Sequence, residues 1–233
     1  MSIGKMMIFI LAVFSWSGAA TSTKCDDDED CDVVVTESFK VGDSTICFNK
    51  NATYNGYCII PYKNDKREGL MKRYYESGAL HLEAPFKNDK RDGLSKQYYE
   101  SGAIHLEVPL KNDKGEGLSK EYYESGSLKQ EATYKNHKLE GLSKEYYENG
   151  VLKKEIPYKN DKAEGLVKEY YENGALQWEI PYKNDKREGL RKEYCENGKK
   201  ASTAKFKNDI LQGYVECADG RKGNENIQCK CND

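Results

Sequence analysis

From residue 61 onward, short apolar and aromatic stretches alternate with polar, glycine-bearing turns on a fixed step. Glycine recurs every 24 residues, at Gly69, Gly93, Gly117, Gly141, Gly165, Gly189 and Gly213. A constant period of that size is the signature of a tandem-repeat architecture. A second glycine series, from Gly78 to Gly198, keeps the same step, as do Tyr74, Tyr98, Tyr122, Tyr146, Tyr170 and Tyr194. All five prolines (Pro61, Pro85, Pro109, Pro157 and Pro181) share one phase. With glycine this frequent and a proline in most units, no regular helical stretch survives.

The turn chemistry assigns the elements. Ser77-Gly78 and Asn149-Gly150 lie between a Tyr-Tyr-Glu stretch and a leucine-containing stretch, the pattern of a tight β-hairpin. Asn64-Asp65 and its equivalents at Asn88, Asn112, Asn160 and Asn184 supply a second turn, because Asn and Asp tolerate the left-handed backbone region. Each unit is therefore one hairpin joined to the next by another hairpin. With Ser77 and Gly78 as central turn residues, Tyr75 faces Leu80, Arg73 faces Leu82 and Lys72 faces Glu83. The last pair recurs through Lys168 and Glu179 as a ladder of opposite charges. Apolar residues fall on both faces, with Tyr75, Leu80 and Phe86 on one and Leu70, Tyr74 and Pro85 on the other. A sheet packed on a second sheet would alternate more cleanly. The expected fold is all-β: an elongated, single-layer antiparallel sheet of tandem 24-residue β-hairpin repeats, about 14 strands at ~4.8 Å spacing, with disulfide-stapled end caps.

The flanks change this picture at both ends. Lys5, the apolar run from Met6 to Phe14 and the small residues Gly18, Ala19 and Ala20 form a secretory signal over 1–20. That run is far shorter than the ~20 residues a membrane span needs. Residues 21–60 read as an acidic leader with six acidic side chains between 26 and 32, followed by a Cys-rich cap. Residues 61–213 are the repeat array and 214–233 a Cys-rich C-terminal cap. All eight cysteines follow the signal and divide into Cys25, Cys31, Cys47 and Cys58 at one end and Cys195, Cys217, Cys229 and Cys231 at the other. An even number in an exported chain reads as a disulfide framework. Cys47 and Cys58 flank the turn at Asn55-Gly56 and are placed to close a small loop. Cys195 and Cys217 sit on strands separated by a third, ~9–10 Å apart and too far to bridge. Each is expected to pair with Cys229 or Cys231, in either order.

Units such as Glu140 to Asp161, with an aromatic pair, Asn-Gly, Leu, Tyr-Lys-Asn and a closing Gly, resemble MORN (membrane occupation and recognition nexus) repeats, in particular the shorter bacterial variant. The resemblance covers Pro61 to about Gly213. It implies the hairpin architecture and an association with membranes or protein scaffolding. Some bacterial members of the variant family are antitoxins, a role ordinarily cytoplasmic.

Candidate chemistry is sparse. The 37 basic and 39 acidic residues leave a net charge of −2, which excludes a strongly basic nucleic-acid binder. His81 and His105 share a phase about 10 Å apart, too far to share a metal, and read as solvated strand histidines. His137 replaces a turn Asp and reads as divergence. The acidic run 26–32 lacks the spaced ligands of a calcium loop, and Asn51-Ala52-Thr53 fits a glycosylation acceptor. No phosphate loop, dinucleotide fingerprint or nucleophile elbow is present. No catalytic, cofactor or metal residue is assigned, because a regular lattice repeats residues instead of converging different ones on a pocket.

The expected function is a non-catalytic scaffold binding an unidentified protein at the cell envelope, periplasm or cell surface. One column varies while its neighbours do not: Leu82, Leu106, Gln130, Lys154 and Trp178. The alternative is a surface glycan or lipid headgroup bound along Tyr74, Tyr98, Tyr122, Tyr146 and Tyr170. Eighteen tyrosines against 6 Phe and 2 Trp suit half-exposed strands. No basic face favours a membrane surface.

Overall fold

A computed structural model of the protein describes residues 35–50 and 55–231. The signal at 1–20, the acidic run with Cys25 and Cys31, and the acceptor sequence at 51–53 lie outside the described residues. Among the described residues all regular structure is strand, with no helix. The chain forms two compact units that divide between Lys114 and Gly115.

Each unit is an antiparallel meander. In the first, Val35–Val41 pairs with Ser44–Lys50, which pairs with Asn55–Lys63 and sets Cys47 opposite Cys58. The order continues through Gly69–Tyr75, Leu80–Lys87, Gly93–Tyr98 and Ile104–Lys111. In the second, Gly117–Tyr122 and Leu128–Lys135 begin a series that runs to Lys200–Lys207, Val215–Cys217 and Lys222–Gly223.

The two turn types alternate, and each follows from its residues. Asn160 and Asp161 both have positive φ (50° and 68°) between Lys159 and Lys162, which face each other. Two consecutive left-handed residues define the type I′ hairpin, whose twist matches the strands. The Asn-Gly and Ser-Gly turns differ from the two-residue expectation. The Gly150 N–H donates to the Tyr147 carbonyl at 2.9 Å, the Tyr147 N–H donates to the Val151 carbonyl at 2.8 Å, and only Gly150 has positive φ. This is a three-residue loop, a type I turn closed by a left-handed glycine. The Asn149 Oδ1 accepts the Val151 N–H at 2.9 Å and helps hold that shape. The longer loop moves the register beyond it. Arg73 faces Leu82 and Lys72 faces Glu83 as expected, but a bulge after Arg73 brings Tyr74, not Tyr75, opposite Leu80.

The glycine and proline phases are one device. A Cβ on Gly93, where φ is +132°, would lie 2.7 Å from the Pro85 Cγ, and one on Gly165 would lie 3.0 Å from the Pro157 Cγ. The backbone there bends against the proline ring of the previous strand, which leaves no room for a side chain. Where Thr133 stands in the proline phase, Gly141 keeps a positive φ of 91° but has nothing within 4 Å.

Burial is concentrated on one face. Ile60, Met71, Ala84 and Phe86 form the core of the first unit, with Cys58, Tyr62 and Leu82 against it. Ile180, Ala204, Phe206 and Val215 form that of the second, flanked by Trp178, Tyr182, Leu211, Ile227 and Cys229. The Met71 phase is filled by buried Ser95, Ser119 and Ser143 in the intervening repeats, where little apolar volume is gathered. At the C-terminal end the cap forms two disulfides, Cys195–Cys231 and Cys217–Cys229, with Cα separations of 5.7 and 5.3 Å. The expectation that each strand cysteine bridges to the tail is met, and the pairing is nested. Both bridges indicate an oxidising compartment.

Candidate functional site

Most polar side chains of the repeat are committed to holding one strand pair to the next. At the Asn-Asp edge, the turn aspartates from Asp89 onward receive a backbone N–H from the preceding turn: Arg67 to Asp89 at 2.7 Å, Ala163 to Asp185 at 2.7 Å and Arg187 to Asp209 at 2.8 Å. The same Asp donates its own N–H to that residue's carbonyl, as Asp185 does to Ala163 at 3.1 Å. A second stitch runs beside it, with Glu68 accepting the Asn88 N–H at 2.8 Å and Glu140 accepting the Asn160 N–H at 3.0 Å. At the last turn Gln212 replaces this glutamate and donates its carboxamide to the Ile210 carbonyl at 3.0 Å. His137, in the place of an Asp, keeps the acceptor: the Gly115 N–H donates to its Nδ1 at 3.3 Å.

Across the middle of the strands the expected charge ladder is present. Lys72 pairs with Glu83 and Lys96 with Glu107, both at 3.2 Å. Further on the lysine turns to the glutamate of the previous repeat, as in Lys144–Glu131 at 3.7 Å and Lys192–Glu179 at 2.7 Å. Exposed pairs of this kind contribute a few tenths of a kcal/mol each. The nominated tyrosines join this ladder. Tyr98 donates to Glu83 at 3.0 Å, Tyr146 to Glu131 at 2.9 Å and Tyr170 to Glu155 at 3.0 Å, while Tyr74 stacks on Tyr57 with ring centroids 4.6 Å apart. Desolvation first, then the hydrogen bond to the carboxylate, pushes the Tyr146 and Tyr170 hydroxyls up to about 12. The second tyrosine of each pair is also engaged: Tyr147 donates to the Tyr170 carbonyl at 2.8 Å and Tyr171 to the Tyr194 carbonyl at 2.9 Å. After Tyr171 the phase is taken by the disulfide-bonded Cys195.

The varied column is separated from these tyrosines by the sheet. Leu82 lies against the first core and Trp178 against the second, while Tyr98 shares the opposite face with Glu83. Lys154 reaches Glu169 at 3.8 Å and the Trp178 ring at 6.0 Å. Leu106 and Gln130 are half-buried. The two histidines read as solvated are packed instead, His81 on Tyr75 at 4.5 Å and His105 on Tyr99 at 4.4 Å between centroids. Burial, then Arg73, lowers the His81 imidazole below its ordinary range.

The feature the sequence reading left without a role is a leucine row. Leu70 and Leu94 in the first unit, and Leu118, Leu142, Leu166 and Leu190 in the second, are each 41–46% exposed. They lie on the face of the charge ladder, with Leu70 opposite Pro85, Leu142 opposite Pro157 and Leu166 opposite Pro181. The signal was available, since a leucine follows every glycine of the first series through Gly189.

Hairpins of one length, stitched by the same contacts at every step, define a tandem β-repeat protein. The MORN repeat variant family model matches six consecutive stretches, residues 67–88, 91–112, 115–136, 139–160, 163–184 and 187–208. The chain belongs to that family. The match is to the repeat itself and carries no toxin or antitoxin role. The search of curated proteins found no match. MORN repeats are in general associated with protein or membrane interactions, and the family is typically non-enzymatic.

Proposed function

We propose that this protein is an exported, non-catalytic repeat scaffold that holds a protein partner at the cell envelope or surface, with the leucine row as its contact. The observation that carries the reading is the uniform exposure of that row, 41–46% at all six positions. The Tyr98, Tyr146 and Tyr170 hydroxyls and the carboxylates that accept them are paired within the sheet, whereas within each unit the leucines recur as exposed apolar positions on one face, and such patches mark interaction sites. Export is supported by the basic, apolar and small-residue order over 1–20 together with the two disulfides. The varied column, half-buried on the other face, would set the packing beneath this surface. The tyrosine hydroxyls donate inward, which leaves a sugar fewer free donors than the glycan reading requires.

The test is affinity capture from native envelope extract with the oxidised chain, quantifying protein, glycan and lipid. One protein recovered stoichiometrically by the wild type and by Tyr146→Phe/Tyr170→Phe, and lost with Leu142→Asp/Leu166→Asp, is the expected result. Glycan or lipid recovered equally by all three overturns it.

A further inference from the structure

Seven turns of the array share the Lys-Asn-x sequence, and in six of them x is Asp. Where these aspartates form the inter-turn stitch, the acceptor is a carboxylate oxygen, as at Asp161 and Asp185. The exception is His137. Its backbone is the same as its neighbours', with φ of 67° against 68° at Asp161, and its N–H donates to the Gly115 carbonyl at 2.8 Å. Only the side-chain acceptor differs, an imidazole Nδ1 at 3.3 Å from the Gly115 nitrogen. Gly115 is buried, and a Cβ there would meet Tyr134 at 3.4 Å and the His137 Nδ1 at 3.7 Å. Its N–H therefore has little access to water once the ring ceases to accept.

We propose that His137 makes this one seam of the repeat array acid-sensitive: protonation of its Nδ1 releases the Gly115 N–H and leaves the seam held by its other two bonds, while the aspartate seams keep their acceptors. A protonated imidazole has no lone pair at either nitrogen, so the bond exists only with the neutral ring. The sign follows directly. The stitch exists with the unprotonated ring and is lost when Nδ1 takes up a proton, so acid weakens it and base does not.

The surrounding charges act in both directions. Lys135 and Lys138 on the same turn oppose a third positive charge. Glu116 on the preceding strand is engaged with the Asn136 N–H at 2.7 Å, Glu140 with the Asn160 N–H at 3.0 Å, and Asp161 with the Leu139 N–H at 2.7 Å. Each of these carboxylates already accepts a backbone N–H of its own turn pair. The seam thus has a different pH response from the Leu139–Asp161 and Ala163–Asp185 seams that follow it.

The test is amide hydrogen exchange of the oxidised chain, corrected for intrinsic rates, compared at pH 7.5 and pH 5. The expected result is a loss of protection at Gly115 of about fivefold, the scale of one net hydrogen bond, with Leu139 and Ala163 unchanged. In His137→Asp the loss at Gly115 is expected to disappear. The imidazole nitrogen shifts give an independent reading on the unaltered chain, with Nδ1 unprotonated at pH 7.5. Equal protection of Gly115 at both pH values, the same loss in His137→Asp, or a proton on Nδ1 at pH 7.5 would each overturn the proposal.

Discussion

At the scale of single residues, the fold rests on positions where one side chain is absent so that another can be present. Gly93 has a left-handed backbone and no room for a methyl beside Pro85, whereas Gly141 has the same backbone preference and open space. Gly141→Ala should therefore cost only the conformational term of roughly 1 kcal/mol. Gly93→Ala should cost clearly more, and part of that excess should return in Gly93→Ala/Pro85→Ala, as read from urea midpoints. If the two glycines respond alike, the proline contact contributes nothing. The tyrosine hydroxyls make a second residue-scale prediction. Tyr146 and Tyr170 are pushed up to about 12 in the folded chain, from an ordinary value of 10.0. Their contribution is fully present below pH 10 and is lost as pH rises from 10 toward 12. Spectrophotometric titration should find them ionising after the bulk of the tyrosines, and Glu131→Gln should bring Tyr146 earlier. From the sequence the phase of each of these residues was legible. Their partners were not, because a Tyr–Glu bond spanning 15 residues depends on the bulges between Glu145 and Tyr146 and between Glu169 and Tyr170, which no local pattern announces.

At the scale of elements, the two turn types show where sequence reading succeeds and where it falls short. Asn160-Asp161 was assignable because both residues tolerate positive φ, and both adopt it. Asn149-Gly150 invited the same two-residue assignment, but a glycine alone at positive φ is also the mark of the three-residue loop, and the choice lies in the hydrogen bond from Tyr147 to Val151. The disulfides behave similarly: the sequence limited the pairings, and strand geometry selected Cys195–Cys231 and Cys217–Cys229. Removing a bridge of this kind costs about 2–4 kcal/mol in most small domains. For Cys195→Ser/Cys231→Ser the loss should appear first at the C-terminal strands. Hydrogen exchange should rise at residues 200–217 before it rises at residues 141–158, and uniform exchange along the second unit would contradict that order.

At the scale of the whole molecule, repetition makes stability a sum of similar terms. Excising one full period, residues 139–162, joins Lys138 to Ala163 and leaves every stitch with a partner of the same kind. The shortened chain should fold, with a lower denaturant slope in proportion to the surface removed. Failure to fold would mean that the units are not interchangeable. The 24-residue step carried nearly all of the architecture in the sequence, since it repeats without slip. The exposed leucine row was harder to foresee, because a leucine beside a glycine reads equally well as core until the bend at that glycine turns it outward.

Gln212 bears on how such a chain can lengthen. Each glutamate in its phase accepts from the turn that follows, but this carboxamide is turned back onto Ile210. A duplicated unit inserted within the array would inherit complete sets of donors and acceptors, whereas one appended after Gln212 would have to displace the tail that is bridged to Cys195 and Cys217. Growth and loss of repeats in descendants of this gene should therefore be confined to its interior, with the terminal unit passed on unchanged.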